Sequence, residues 1–183
     1  MNIDINPLAT DLKPAIADSV RERKADRVGV ALEAGEYRLV ATRPIAAGER
    51  LFRMEGEITA QPSRYSVQVG ESLHIAPGVS PTTEKRLDRY FWRFMNHSCD
   101  PNTVVREREV FAWRDIHPGE AVTFDYNTTE WEMAEPFICH CGNVGCLKEI
   151  RGFKHLTAAL RERLLVVAPH LRRSAAMESI TIP

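Results

Sequence analysis

All four cysteines of this chain fall in two short stretches. Cys99 lies within Arg93-Phe94-Met95-Asn96-His97-Ser98-Cys99-Asp100-Pro101-Asn102, and the others lie within Cys139-His140-Cys141-Gly142-Asn143-Val144-Gly145-Cys146. Four thiolates are the ligand set of a closed tetrahedral zinc site. A C-x-C-x4-C cluster on a glycine-punctuated loop supplies Cys139, Cys141 and Cys146, and Cys99 completes the set. Such a site ties two distant pieces of chain to one ion, which constrains the fold more than any other feature. A histidine ligand, His97 or His140, is the weaker alternative, because chain geometry usually directs an imidazole beside a cysteine ligand elsewhere.

Cysteines clustered this tightly read as metal ligands in a reducing compartment rather than as disulfides. The start, Met1-Asn2-Ile3-Asp4-Ile5-Asn6-Pro7, lacks a basic and then apolar leader, and no apolar run approaches the roughly 18 residues of a membrane span. The expected location is the cytoplasm, or the nucleus of a eukaryotic cell, with no membrane partner. Twenty-four basic against twenty-five acidic residues give a net charge of -1, which argues against a protein built to neutralise nucleic-acid phosphates.

At 183 residues the chain fits one domain with terminal extensions. In residues 1–27, Leu12, Ile16 and Val20 recur at helical spacing. From Val28 the pattern shifts to short runs rich in branched and aromatic residues: Val28 to Leu32, Tyr37 to Thr42, Arg50 to Ile58 and Tyr65 to Val69. Further strands are expected over Thr103 to Arg106, Val110 to Arg114 and Ala121 to Phe124, with His117-Pro118-Gly119-Glu120 as a turn. A short helix is expected within Pro81 to Phe94. Another follows Thr157 as N-cap, carries Leu160 and Leu164, and stops near Pro169. Trp92, Trp113 and Trp131 are expected in the core. The basic residues Lys154, His155, Arg161, Arg163, Arg172 and Arg173 read as a solvated helix face. The fold class is mainly β with short helices (α+β).

Arg93 to Asn102, followed by Asp115-Ile116-His117-Pro118-Gly119-Glu120-Ala121-Val122-Thr123-Phe124-Asp125-Tyr126, resembles the signature of SET-domain protein-lysine methyltransferases, and the Cys139 to Cys146 cluster resembles their post-SET zinc loop. The resemblance implies a β-clip of small curved sheets, with the Asn96 and Tyr126 segments packed as a pseudoknot. It divides the chain into an N-terminal extension (1–27), a SET domain (28–130), a post-SET zinc loop (131–152) and a C-terminal helix and tail (153–183). It implies S-adenosyl-L-methionine on one face, structural zinc, and a lysine of a protein or peptide substrate entering by a narrow channel from the other.

By the same resemblance, Tyr126 is the catalytic residue, orienting the lysine nitrogen. Tyr37, Tyr65, Arg93, Asn96 and His97 fall to the cofactor, His97 through backbone groups. Phe124, Tyr126 and Met54 fall to the substrate channel. Phe124, where some relatives have tyrosine, leaves room that favours di- or trimethylation. Glu36-Tyr37-Arg38 stands where the family has an early Gly-x-Gly, and Met54 where it often has tyrosine. These departures motivate the alternative, a silent SET-like binding domain; methylation of a small amine is a third reading.

The chemistry asks mainly for positioning. Methyl transfer from a sulfonium to an amine is an in-line displacement. The amine must be neutral, and with a pKa near 10.4 this costs roughly 4 to 5 kcal/mol at pH 7. An apolar channel beside a cation lowers that pKa by desolvation and like-charge repulsion.

Overall fold

The computed structural model describes residues 19–22, 27–79, 82 and 87–180. Among them lie small sheets that wrap one main core. The first joins β1 (Ser19–Glu22), β2 (Val28–Glu33) and β3 (Glu36–Ala41), all antiparallel. Ala34 and Gly35 close the β2–β3 hairpin with φ of 50° and 82°, so both turn residues are left-handed, as a two-residue hairpin turn of this hand requires.

Arg50 to Ile58 does not form one strand. It breaks into β4 (Arg50–Arg53) and β5 (Glu57–Thr59), which belong to different sheets. The switch is forced between them: the Met54 amide donates to the Arg108 carbonyl at 2.8 Å, and Gly56 passes so near Ala76 that a Cβ would lie 2.2 Å from its carbonyl oxygen. β5 then pairs with β7 (Leu73–Ala76), which also pairs with β6 (Val67–Gly70). Tyr65 consequently precedes its expected strand, in a turn.

The third sheet has the order β4, β10 (Glu109–Ala112), β9 (Thr103–Arg106). The two segments that the resemblance draws together do meet: β8 (Asn96–His97) runs parallel to β11 (Thr123–Phe124), pairing Asn96 with Thr123 and His97 with Phe124. Ser98 N donates to Phe124 O at 3.1 Å. Asn102, 1% exposed, clamps the crossing: its amide nitrogen donates to Ala121 O at 2.8 Å and its oxygen accepts from Thr123 N at 2.9 Å. β12 (Phe137–Ile138) and β13 (Glu149–Ile150) frame the cysteine loop.

Apolar residues of these strands, with Trp92 and Met95, fill the core. Trp113 is a correction: it is 46% exposed, because Ala112 and not Trp113 turns inward at the end of β10. Trp131 instead joins a second cluster with Phe153, Val167 and Leu171. That cluster holds the C-terminal part. Thr157 caps α1 (Ala158–Glu162), its hydroxyl accepting from Leu160 N at 3.3 Å. Pro169 does not end this helix but opens another, α2 (Pro169–Ile180), where a proline lacking N–H fits the first turn. In the expected N-terminal helix, the described residues 19–22 are strand, and Leu12 and Ile16 lie outside the described residues. Within Pro81 to Phe94, residues 87–89 are helical and Phe91–Phe94 is a 3-10 turn.

Candidate active site and metal centre

The cysteine loop folds back onto the residue after β8. The Sγ atoms of Cys99, Cys139, Cys141 and Cys146 lie within 4.8 Å of one another. A zinc–sulfur distance of about 2.3 Å gives a tetrahedral edge of roughly 3.8 Å, and Cys99 Sγ stands 4.0 Å from the Sγ of Cys139 and of Cys146. The donor set therefore fits a divalent soft cation. Burial pushes the Cys99 and Cys139 thiols up, Cys139 to about 11, whereas the Cys141 thiol is brought down to about 6, its own burial outweighed by hydrogen bonds led by the Asn143 backbone N–H.

His97 is the hinge between this centre and the rest of the site. Its side chain is 2% exposed, and its Nδ1 accepts from the Tyr126 backbone N–H at 3.2 Å. With Nδ1 accepting, the ring proton sits on Nε2, which faces Cys99 Sγ at 3.2 Å. An N–H directed at Cys99 Sγ holds that sulfur in one orientation. Burial lowers the His97 pKa to about 4, so the imidazole is neutral.

Tyr126 follows β11 and opens a 3-10 turn, Tyr126–Thr128, capped by the Asp125 carboxylate. Its hydroxyl donates to Met95 O at 2.7 Å. Burial above all raises its pKa, so the phenol stays protonated. Two cavities meet at this ring. One is a groove of about 740 Å³ whose lining includes Arg38, Tyr65, Arg93, Asn96, His97 and Cys141. The other is a narrow slot lined by Tyr65, Trp92, Arg93, Phe124, Tyr126 and Glu130, among others. Tyr65 and Arg93 border both; the Arg93 guanidinium stacks 3.9 Å from the Tyr65 ring centre.

Tyr65, Arg93, Asn96, His97, Phe124 and Tyr126 are thus brought together. Two expected residues are not. Tyr37, 41% exposed, turns to the opposite side of β3 and packs on Phe94 at 5.4 Å, so its neighbours Glu36 and Arg38 face the groove by strand alternation. Met54 is 1% exposed inside the core and lines neither cavity. Among the described residues Arg38 is not one of those with positive φ, so no glycine is needed at its position.

Nothing in residue type or spacing pointed to Glu130. It is buried against the slot, with Oε1 accepting from Gln68 N at 2.8 Å and from Thr129 Oγ1 at 3.1 Å. Burial raises its pKa to about 7.

Comparison with known proteins agrees with this geometry. The family described as SET domain matches residues 36–127. The chain is 31% identical over 143 residues to methyltransferase flvH of Aspergillus flavus, covering 75% of this chain and 74% of that protein. It is 32% identical over 141 residues to a histone-lysine N-methyltransferase, H3 lysine-36 specific, of Yarrowia lipolytica, covering 67% of this chain but 18% of that larger protein. A crystal structure of KRYPTONITE in complex with mCHG DNA and SAH shares the fold, with a TM-score of 0.54 and 23% identity over 70% of this chain and 30% of that one. With its signature segments paired, its cysteines gathered and residues 36–127 matched, the chain belongs to the SET-domain family.

Proposed function

We propose that this chain is an S-adenosyl-L-methionine-dependent protein-lysine N-methyltransferase. The observation that carries the reading is the position of Tyr126, which lines both a broad groove and a narrow slot. A groove of about 740 Å³ is of the size that takes a nucleoside cofactor, and a slot suits one unbranched side chain. The structure of KRYPTONITE with SAH, and another with an H3(1-15) peptide and SAH, support the same pair of ligands.

The cofactor supplies the electrophilic methyl carbon. This chain's residues do the rest. Asn96, the backbone of His97, and Tyr65 with Arg93 form the walls that hold and orient it. Tyr126, a protonated phenol fixed on Met95 O, orients the amine and serves as no base, since burial raises its pKa. Phe124, its ring tilted 44° and 4.8 Å from the Tyr126 ring, gives the slot an apolar face that excludes water, and desolvation there disfavours an ammonium. Cys99, Cys139, Cys141 and Cys146 hold a zinc ion that fixes the Cys139 loop as one wall of the groove, because Cys139, His140 and Cys141 line it.

Relatives named as histone-lysine N-methyltransferases make histone tails the first substrates to test and a nucleus the setting in a eukaryotic cell. The silent-domain alternative rested on Glu36-Tyr37-Arg38 and Met54. It loses force because the strand is regular at Arg38 and Met54 is a core residue.

The test is incubation of the protein with deuterated cofactor and either core histones or a cell lysate, followed by mass spectrometry of lysines. Deuterated methyl groups on specific protein lysines are expected. Cofactor binding by calorimetry without any labelled lysine would favour the silent domain, and label confined to small amines would favour a metabolite methyltransferase.

A further inference from the structure

We propose that Glu130 is the proton acceptor for the incoming lysine, an inference that rests on the methyltransferase reading above. Glu130 lines the same slot as Tyr126, Phe124 and Arg93, and its side chain is only 9% exposed. Oε1 is occupied by the Gln68 and Thr129 donors, and Oε2 lies 4.0 Å from His74 Nε2.

The charged and titratable groups around Glu130 do not neutralise it. His74 on β7 and His170 at the start of α2 are both pushed to lower pKa, chiefly by burial, so both are neutral near pH 7. His170 Nε2 is engaged with Thr129 O at 2.8 Å, and its outer neighbours Arg173 and Glu71 pair with each other at 3.0 Å. Arg64 and Arg93 line the slot as well, each guanidinium over the Tyr65 ring, and Tyr126 is a neutral phenol.

A buried carboxylate without a matched cation is costly, by several kcal/mol. Glutamine would present the same oxygen to Gln68 N and Thr129 Oγ1 without that cost. Packing and hydrogen bonding therefore leave the charge unexplained, and a proton-accepting role explains it. Burial brings the group to about 7, where an acceptor at neutral pH is most effective.

The step balances as follows. One N–H bond of the lysine ammonium breaks, its proton passes to a Glu130 oxygen, and the electron pair stays on nitrogen. Arg64 and Arg93 favour this loss by repelling the ammonium. The neutral amine then forms the N–C bond while the pair of the breaking C–S bond stays on sulfur, leaving a methylated ammonium. Glu130 releases its proton on the side of His74 before the next turnover.

The experiment measures methyl transfer to core histones, kcat and KM separately, from pH 6 to 9.5 for the wild type, Glu130→Gln and Glu130→Asp, with cofactor binding measured alongside. In the wild type, carbon-13 carboxyl resonances report the Glu130 titration directly. The expected result is a roughly hundredfold loss of kcat at pH 7 in E130Q, narrowing toward pH 9.5 where solution hydroxide does the work, partial recovery in E130D, and unchanged cofactor affinity. In the wild type the Glu130 resonance should titrate with the rising limb of the rate. A deficit constant across pH, or a Glu130 titration unrelated to the rate limb, overturns the inference even if E130Q folds poorly. A wild type that binds cofactor yet methylates neither histone nor lysate lysines overturns the function itself.

Discussion

At the scale of single residues, the site separates positioning from proton handling. Tyr126 is tied at both ends, by its hydroxyl to Met95 O and by its amide to His97 Nδ1, so its ring has one orientation. Tyr126→Phe removes only the hydroxyl bond, worth about 1 kcal/mol in stability. We expect the fold and cofactor affinity to survive and turnover to fall by about two orders of magnitude; steady-state kinetics beside calorimetry check this, and undiminished turnover removes the role. Glu130 also makes a pH prediction. Its folded pKa, about 7, exceeds the ordinary 4.5, so folding favours its protonated form. Its contribution to stability is full below about pH 4.5 and is lost as pH rises through 7, a change of at most a few kcal/mol. The stability of Glu130→Gln relative to wild type should therefore improve from pH 4.5 to 8. Urea unfolding at several pH values measures it, and a pH-independent difference contradicts the buried charge. Residues also show where sequence reading stops. The spacing of the cysteines foretold that they gather, whereas Glu130 sits in a polar Thr128-Thr129-Glu130 run that reads as surface, and its burial depends on Gln68 and α2 arriving from elsewhere.

At the scale of elements, short strands are held by clips rather than by length. β8 and β11 contribute two residues each, so the pairing leans on Asn102 and on the cysteine cluster beyond Ser98. Cys141→Ser should lower zinc content and weaken cofactor binding together, because the loop that carries it walls the groove. Metal analysis paired with calorimetry tests this, and an unaltered metal stoichiometry rules out the four-thiolate site. Gly152 is the corresponding backbone clip. Its φ is 105°, and a Cβ there would come 2.7 Å from Trp131 O. Gly152→Ala should cost about 2 kcal/mol or more through strain and displacement of the Glu130–Trp131 segment, seen as a lower denaturation midpoint. The strands of β2, β3, β9 and β10 were legible because branched residues alternate between turn signals. β12 and β13 were not, since two-residue strands carry no period. Arg50 to Ile58 reads as one run because the sheet switch at Gly56 depends on where Ala76 lies.

At the scale of the whole molecule, the groove is built from β3, the Tyr65 turn, β8 and the Cys139 loop, pieces spread over most of the described chain. A ligand bound there couples them. S-adenosyl-L-methionine at a hundredfold excess over its Kd should stabilise the protein by about 2.7 kcal/mol, read as a rise in Tm. That rise should shrink after a chelator removes the metal, and an identical rise with and without metal would uncouple the loop from the groove. By itself the sequence determined the family, the mainly β class, the four-cysteine cluster and the signature segments around Asn96 and Tyr126, because these reside in residue type and local spacing. Tertiary structure alone decided that Glu36 and Arg38 rather than Tyr37 face the groove, that Met54 belongs to the core, that His97 turns its ring to Cys99, and that Glu130 lines the slot. Which way a side chain points depends on strand register and on neighbours distant in the chain, and both are fixed only when the sheets close around the core.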